Sequence, residues 1–220
     1  KNILIIDNSV FDFFVEVSGG DEILSLLNEL ILGVPVMTDL VKEKSERKLR
    51  QRQPGLQYGE LLRQFYENWC NLLNEIGCET MVLKKYKERI GRAINCLNGH
   101  IDREDLEILA VASFLRDNNY HPMILSNDRD ILCYGQIIAS FFGFCVAILS
   151  TYELLRYLKR EIVLKEYLRR YLNNQSYMMP MSYYIDRCED FKRVLKKMIG
   201  KNLLNMHPHR ALRNIREILP

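Results

Sequence analysis

Apolar residues along the chain fall either into short unbroken runs or into stripes at helical spacing, and the two kinds alternate. Asn2 to Ile6 is apolar after its first residue and ends on Asp7-Asn8-Ser9; so short and continuous a run predicts a strand buried on both faces. Val10 to Val17 follows as an apolar helix, broken by Gly19-Gly20. Glu22 to Leu32 has helical spacing, Gly33 stops it, and the β-branched run Val34 to Met37 predicts a second strand. Thr38 or Asp39 is placed to cap a highly charged helix over Leu40 to Gln53, which Pro54-Gly55 ends. Tyr58 to Glu75 carries Leu61, Leu62, Phe65, Trp69, Leu72 and Leu73 on one helical face, which favours a core-facing stripe over a nucleotide-stacking surface. A further helix is expected from about Val82 to Leu97.

The stretch Asp102 to Ile131 sets acids at both ends of a helix-loop-strand unit. Leu106 to Leu115 is too apolar all round for a surface helix, so it predicts a buried one. Asp102 stands at its N-cap position and Asp105 in its first turn. Asn118-Asn119 breaks the pattern, and Met123 to Leu125 predicts a third strand running into the polar turn Ser126-Asn127-Asp128-Arg129-Asp130. Asp130 to Phe142 is expected as a helix stopped by Gly143, Cys145 to Leu149 as a strand, and Thr151 as the cap of a helix to about Arg160. From Glu161 to Pro220 the periodicity is helical, with interruptions at Asn173-Asn174, Pro180, Gly200 and Pro208. The expected organisation is one domain over residues 1–155 and a basic helical extension over 156–220.

Apolar strands alternating with helices predict the α/β class, with a parallel sheet covered on both faces in an α/β/α sandwich. In such a sheet the C-terminal ends of all strands, and the N-termini of the following helices, share one edge. Asp7, Asp39, Glu43, Asp105, Asp128 and Asp130 all belong to that edge. Each acid alone is as well explained as a helix cap or a first-turn partner of the helix dipole. Together they repel unless a cation sits among them, and oxygen donors without His or Cys suit Mg²⁺ or Mn²⁺. Carboxylate-held ions of that kind serve phosphodiester hydrolysis.

Composition narrows the class. A chain of 220 residues that is 48% hydrophobic can bury a sizeable core. No apolar run is long enough to span a bilayer and no signal-peptide pattern opens the sequence, so a cytoplasmic, membrane-free protein is expected. Six cysteines lie far apart without metal-finger spacing and are expected as reduced thiols. His207-Pro208-His209 lacks the companions that a metal site needs. The net charge of +3 hides an asymmetry: residues 151–220 hold 15 Lys and Arg against 7 Asp and Glu, and residues 1–150 hold 16 against 21. The acidic front suits a carboxylate site, and the basic segments Lys42 to Arg52 and Arg187 to Lys201 suit phosphate contacts. Neither G-x-G-x-x-G nor G-x-x-x-x-G-K-[ST] occurs, so dinucleotide and P-loop chemistry lack their phosphate cradle.

The strand ending I-I-D-N-S at Asp7, an acid after the second strand, D-L-E-I-L-A-V-A from Asp105 and L-S-N-D-R-D-I around Asp128 together resemble the PIN-domain nucleases. The resemblance covers about residues 2–150. It implies Asp7, Asp105 and Asp128 as metal ligands, Asp130 as an accessory ligand, Ser126 as a hydroxyl supporting the turn, and Glu43 or Asp39 as the second acid. It also implies Mg²⁺ or Mn²⁺ as cofactor and RNA, before DNA, as substrate. The insertion over about residues 44–99 and the tail exceed the compact toxin-type members. An inactive PIN-like module that binds RNA or protein is the alternative, and the helical extension would carry a homo-oligomer contact or a protein partner.

Overall fold

A computed structural model describes residues 1–30, 32–52, 55–77, 80–96, 100–128, 130–132, 135 and 146–171 of the chain. The four apolar runs form one all-parallel sheet in the order β2-β1-β3-β4, with β1 at Asn2–Ile6, β2 at Val34–Val36, β3 at His121–Leu125 and β4 at Ala147–Leu149. The described protein is therefore of mixed α/β class, as the alternation predicts. Ile3, Leu4, Ile5 and Ile6 are wholly buried because β1 lies between two strands and under helices. β3 is two residues longer than its apolar run. His121 and Pro122 join it opposite Asn2 and Ile3, and the His121 N–H donates to the Lys1 carbonyl at 3.0 Å.

Between β1 and β2 lie α1 (Asn8–Glu16) and α2 (Gly20–Leu26); between β2 and β3 lie α3 (Asp39–Arg52), α4 (Leu56–Ile76), α5 (Thr80–Cys96) and α6 (Arg103–Asp117). The α4 stripe is core, with Leu61, Leu62, Phe65, Trp69 and Leu72 buried. Gly77 ends α4 in the left-handed conformation at φ 67°, its N–H turned back to Asn74 and Leu73 carbonyls, a conformation that costs a glycine little. α6 is buried at Asp105 and from Glu107 through Leu115, the all-round burial that its apolar pattern requires.

Three expectations need correction. α2 ends at Leu26, six residues early: the Leu27 and Asn28 N–H groups bond three residues back, loosening the chain into turns before Gly33. Asp102 occupies the α6 N-cap position without a capping side-chain bond. After β4, α7 (Thr151–Tyr157) is capped by Ser150 rather than Thr151; the Ser150 hydroxyl accepts from Glu153 N–H while the Glu153 carboxylate accepts from Ser150 N–H at 2.6 Å.

The expected extension over 156–220 opens at the end of α7 and includes α8 (Glu161–Tyr171), which packs on the core through Tyr167, only 1% exposed. Its ring stands edge-on to Phe13 at 5.4 Å. Residues 130–132 are helical. Gly135 is helical too; residues 133–134 and 136–142 of the expected helix, the stop at Gly143, Cys145, His207-Pro208-His209 and the segment Arg187 to Lys201 lie outside the described residues. Among the described cysteines, Cys70 is a free, half-buried thiol. No helix of the described residues is long and apolar enough to cross a membrane.

Two glycines give opposite expectations. A Cβ on Gly20 would sit 1.8 Å from the Phe14 carbonyl oxygen, inside the α1–α2 corner, whereas one on Gly59 in α4 meets nothing within 4 Å. Gly20→Ala should cost about 3 kcal/mol or more through overpacking, and Gly59→Ala should gain about 0.5–1 kcal/mol from helix propensity. Urea denaturation of both variants against the parent measures the two changes.

Candidate metal centre

Parallel pairing sets the centre. Ile6 is in register with Leu125, so the residues that follow β1 and β3 leave the sheet side by side, and Asp7 N–H donates to the Leu125 carbonyl at 2.9 Å. α6 starts at the same edge and contributes Asp105 from its first turn. One carboxylate oxygen each from Asp105, Asp128 and Asp130 lies within 4.8 Å of the other two. Asp105 is 4% exposed and Asp7 beside it 3%, so these charges are largely withdrawn from water.

Asp7 precedes α1 at the N-cap position yet makes no capping bond, because its Oδ2 is engaged elsewhere. It accepts from the Ser126 hydroxyl at 2.7 Å and from the Ser9 hydroxyl. Those hydroxyls accept in turn from the backbone: Asp128 N–H donates to Ser126 Oγ at 2.9 Å and Asn127 N–H to Ser9 Oγ at 3.0 Å. The turn after β3 is thereby fastened to the end of β1 by two hydroxyl relays that meet on one oxygen. Asn127 completes the attachment. Its side-chain amide donates to Thr151 Oγ1, and its carbonyl oxygen accepts from Thr151 N–H and from the Tyr167 hydroxyl, at 2.9, 2.9 and 3.1 Å. Asp130 N–H donates to Asp128 Oδ1 at 2.8 Å, closing the turn on itself.

Burial, followed by repulsion from Asp7 and Asp128, pushes the Asp105 carboxyl up to about 9. Burial likewise raises Asp128 to about 6, with the Asp130 N–H working in the opposite direction. An acid that merely interacted with its helix N-terminus would be shifted down instead. The edge thus resists carrying a full set of carboxylate charges. A single cationic side chain answers them among the described residues that these shifts record. Lys44 on α3 lies 3.6 Å from Glu104; although burial opposes its charge, Glu104, Asp105, Asp7 and Asp102 outweigh that and hold its pKa above the usual value.

The candidates for a second acid lie apart from the group. Glu43 is exposed on α3 and is not among the clustered carboxylates. Asp39 is taken up structurally, its two oxygens accepting from the Tyr66 hydroxyl at 3.0 Å and Trp69 Nε1 at 3.3 Å. Sequence reading passed over Lys44, Asn127 and Glu107. Glu107 is buried, accepts from Leu40 N–H at 2.8 Å and pairs with Lys87 at 2.6 Å, so it caps α3 across the interface. A Glu in a buried helix was the available signal for it; Lys44 sat unnoticed within a charged run.

The donor set fits a hard divalent ion. At metal–oxygen distances near 2.1 Å, oxygens on opposite sides of an octahedral ion are about 4.2 Å apart. Only one pair of three such oxygens can stand opposite, and neighbouring ones are about 3.0 Å apart, so the three carboxylates, within 4.8 Å of one another, would draw together around an ion. All donors are oxygen, none is His or Cys, and the raised pKa values show that a cation here would relieve an existing cost.

Stability of the metal-free protein should depend on pH through this cost. Between the ordinary carboxyl value of 3.8 and about 9, folded Asp105 keeps a proton that the unfolded chain has released. Stability is then greatest at the acid end of that window and falls as pH rises, by up to about 1.4 kcal/mol per pH unit. Asp128 adds to the fall between 3.8 and about 6. In chelator, Asp105→Asn should flatten the dependence between about pH 6.5 and 8.5 and be at least as stable as the parent at the upper end. Urea denaturation across that range tests it, and a parent already as flat as the variant would contradict the assignment.

Compared with models of protein families, with curated proteins and with solved structures, the chain matches none, so the chemistry of this centre is argued from its own geometry.

Proposed function

We propose that the protein is a Mg²⁺- or Mn²⁺-dependent nuclease that hydrolyses phosphodiester bonds in single-stranded RNA, built as an α/β/α sandwich of PIN type with a C-terminal helical extension. The observation that carries the reading is the crowding of Asp105, Asp128 and Asp130 at the carboxyl edge of a parallel sheet, with Asp7 beside them. Asp105 and Asp128 would hold the ion, and Asp130 would complete the set from the same turn. Asp7, fixed by the Ser9 and Ser126 hydroxyls, sets the position of the Asp128 turn and adds negative charge behind it. When bound, a hard divalent ion lowers the pKa of a coordinated water and offsets charge on the phosphate. The preference for RNA rests on the sequence resemblance.

A second reading keeps the fold as a module that binds RNA or protein without cutting. Lys44 favours it: an ammonium at the carboxylate edge neutralises part of the charge that would draw an ion, while Glu43 points to solvent and Asp39 is bonded to aromatic side chains.

Two measurements separate the readings. With Mn²⁺ at a hundredfold excess over its dissociation constant, binding should stabilise the parent by about 2.7 kcal/mol, and Asp128→Asn should lose that response while remaining folded. The parent should cleave labelled single-stranded RNA in Mn²⁺ and stop in EDTA, with Asp128→Asn slower by at least about a hundredfold. Equal melting responses in parent and variant would end the metal reading. A metal response without cleavage of RNA or DNA would favour the binding module.

A further inference from the structure

A second site lies on the other side of α1's first turn. Between α1, α3 and α8 there is a pocket of about 270 Å³ whose charged lining is Lys48, Arg52 and Arg170 against Asp12 and Glu16. Its residues arise from simple helical spacing. α1 presents Ser9, Asp12 and Glu16 on one face, and α3 presents Lys44, Lys48 and Arg52 at intervals of four residues, steps of about 6 Å along the helix. The first member of that row, Lys44, stands at the carboxylate centre beside Glu104, and the next two face the pocket. Ser9 joins both places: it lines the pocket, and its hydroxyl donates to Asp7.

The cations outnumber the acids there, three to two. They also keep donors in reserve. Arg52 meets Glu16 at 2.6 Å and Asp12 at 4.0 Å; Arg170 uses Nη1 on Glu16 and Nε on Glu166, which leaves Nη2; Lys48 pairs with Asp12 through one of its three N–H groups. All three cationic side chains remain 28 to 38% exposed, so a ligand can reach them. Burial raises the Asp12 pKa against the pull of Lys48 and Arg52. α8 is fastened to α1 by the Arg170–Glu16 pair and by Phe13 against the Tyr167 and Tyr171 rings. Lys48 and Arg52 come from α3 and contribute nothing to that fastening; a guanidinium pair and an ammonium around an open cavity are the donors that phosphate oxygens take.

We infer that this pocket binds a phosphate group, and that together with Lys44 it forms a cationic row receiving the phosphodiester backbone of a strand that continues into the carboxylate centre. The pocket stands on its own lining; its role as a strand subsite rests on the nuclease reading.

The experiment is done in EDTA, so that binding is read apart from cleavage. Inorganic phosphate and a labelled oligouridylate are titrated against the full chain, the first by calorimetry and the second by anisotropy over a range of salt. Arg52→Gln should weaken binding about tenfold and lower the salt slope for the oligonucleotide by about 0.7 for the lost phosphate contact. Asp12→Asn, which removes a competing charge, should tighten it. Arg50→Gln, on the same helix but 80% exposed outside the pocket, is the control that should leave phosphate affinity unchanged. Response of the oligonucleotide alone identifies a strand phosphate as ligand, and response of inorganic phosphate alone identifies a free one; either supports the pocket. Affinities that do not respond to Arg52→Gln, or that move in the same direction for Arg52→Gln and Asp12→Asn, would overturn it, with circular dichroism confirming that both variants are folded. Pocket binding that obeys the charge signs, with no Mn²⁺-dependent cleavage, would refute the nuclease reading and leave the pocket standing.

Discussion

Like charges buried together are the constraint from which the architecture follows. Three carboxylates share a 4.8 Å envelope at the sheet edge, and Asp105 and Asp128 pay in raised pKa values for being there. An arrangement of that kind persists only where the surrounding structure over-determines the position of each group. Here it does so through backbone. The β1–β3 register places Asp7 against Leu125, and the Ser9 and Ser126 hydroxyls carry the N–H groups of Asn127 and Asp128 onto Asp7. The end of β1 and the turn after β3 are held in one arrangement by these bonds, and Asp105 is brought to them by the first turn of α6.

The same attachment explains why the chain continues onto its own core after the last strand. Without Thr151 and Tyr167 the buried Asn127 amide would keep only its donation to the Ser9 carbonyl at 3.4 Å. α8 therefore helps to complete the turn that carries Asp128, and it brings Arg170 to the face of α1. α3 has a matching position on the other flank. Glu107 fixes its first turn from within α6, Ser45 donates to Asn8, and its row of cations passes between the carboxylate centre and the pocket. Packing, electrostatics and the proposed chemistry thus depend on a single helix orientation.

How much of this was legible varies with the physics involved. β1, α4 and α6 were clear because burial on both faces of a strand, or on one or all sides of a helix, leaves a local periodicity in the sequence. The group Asp105, Asp128 and Asp130 was legible for a topological reason: parallel strands send their ends, and the acids placed there, to one edge. Lys44 and Glu43 could not be told apart in this way. They are neighbours in a run of charges, and only the rotation of α3, set by Val41 and Ser45 facing inward, turns Lys44 to the centre and Glu43 to water. Asp39 looked available for the same reason until Tyr66 and Trp69 were placed against it.

The sequence by itself determined the class of fold, the position of its strands and the edge at which its acids meet, since these follow from hydrophobic period and chain direction. Tertiary structure decided which of the acids are close enough to share an ion, which are consumed as hydrogen-bond partners, and which cation faces them. Those outcomes depend on distances of a few ångströms between residues far apart in the chain, as with Ser126 and Asp7, 119 positions apart and bonded at 2.7 Å, and coulombic and desolvation energies change steeply over such distances. No local pattern encodes them.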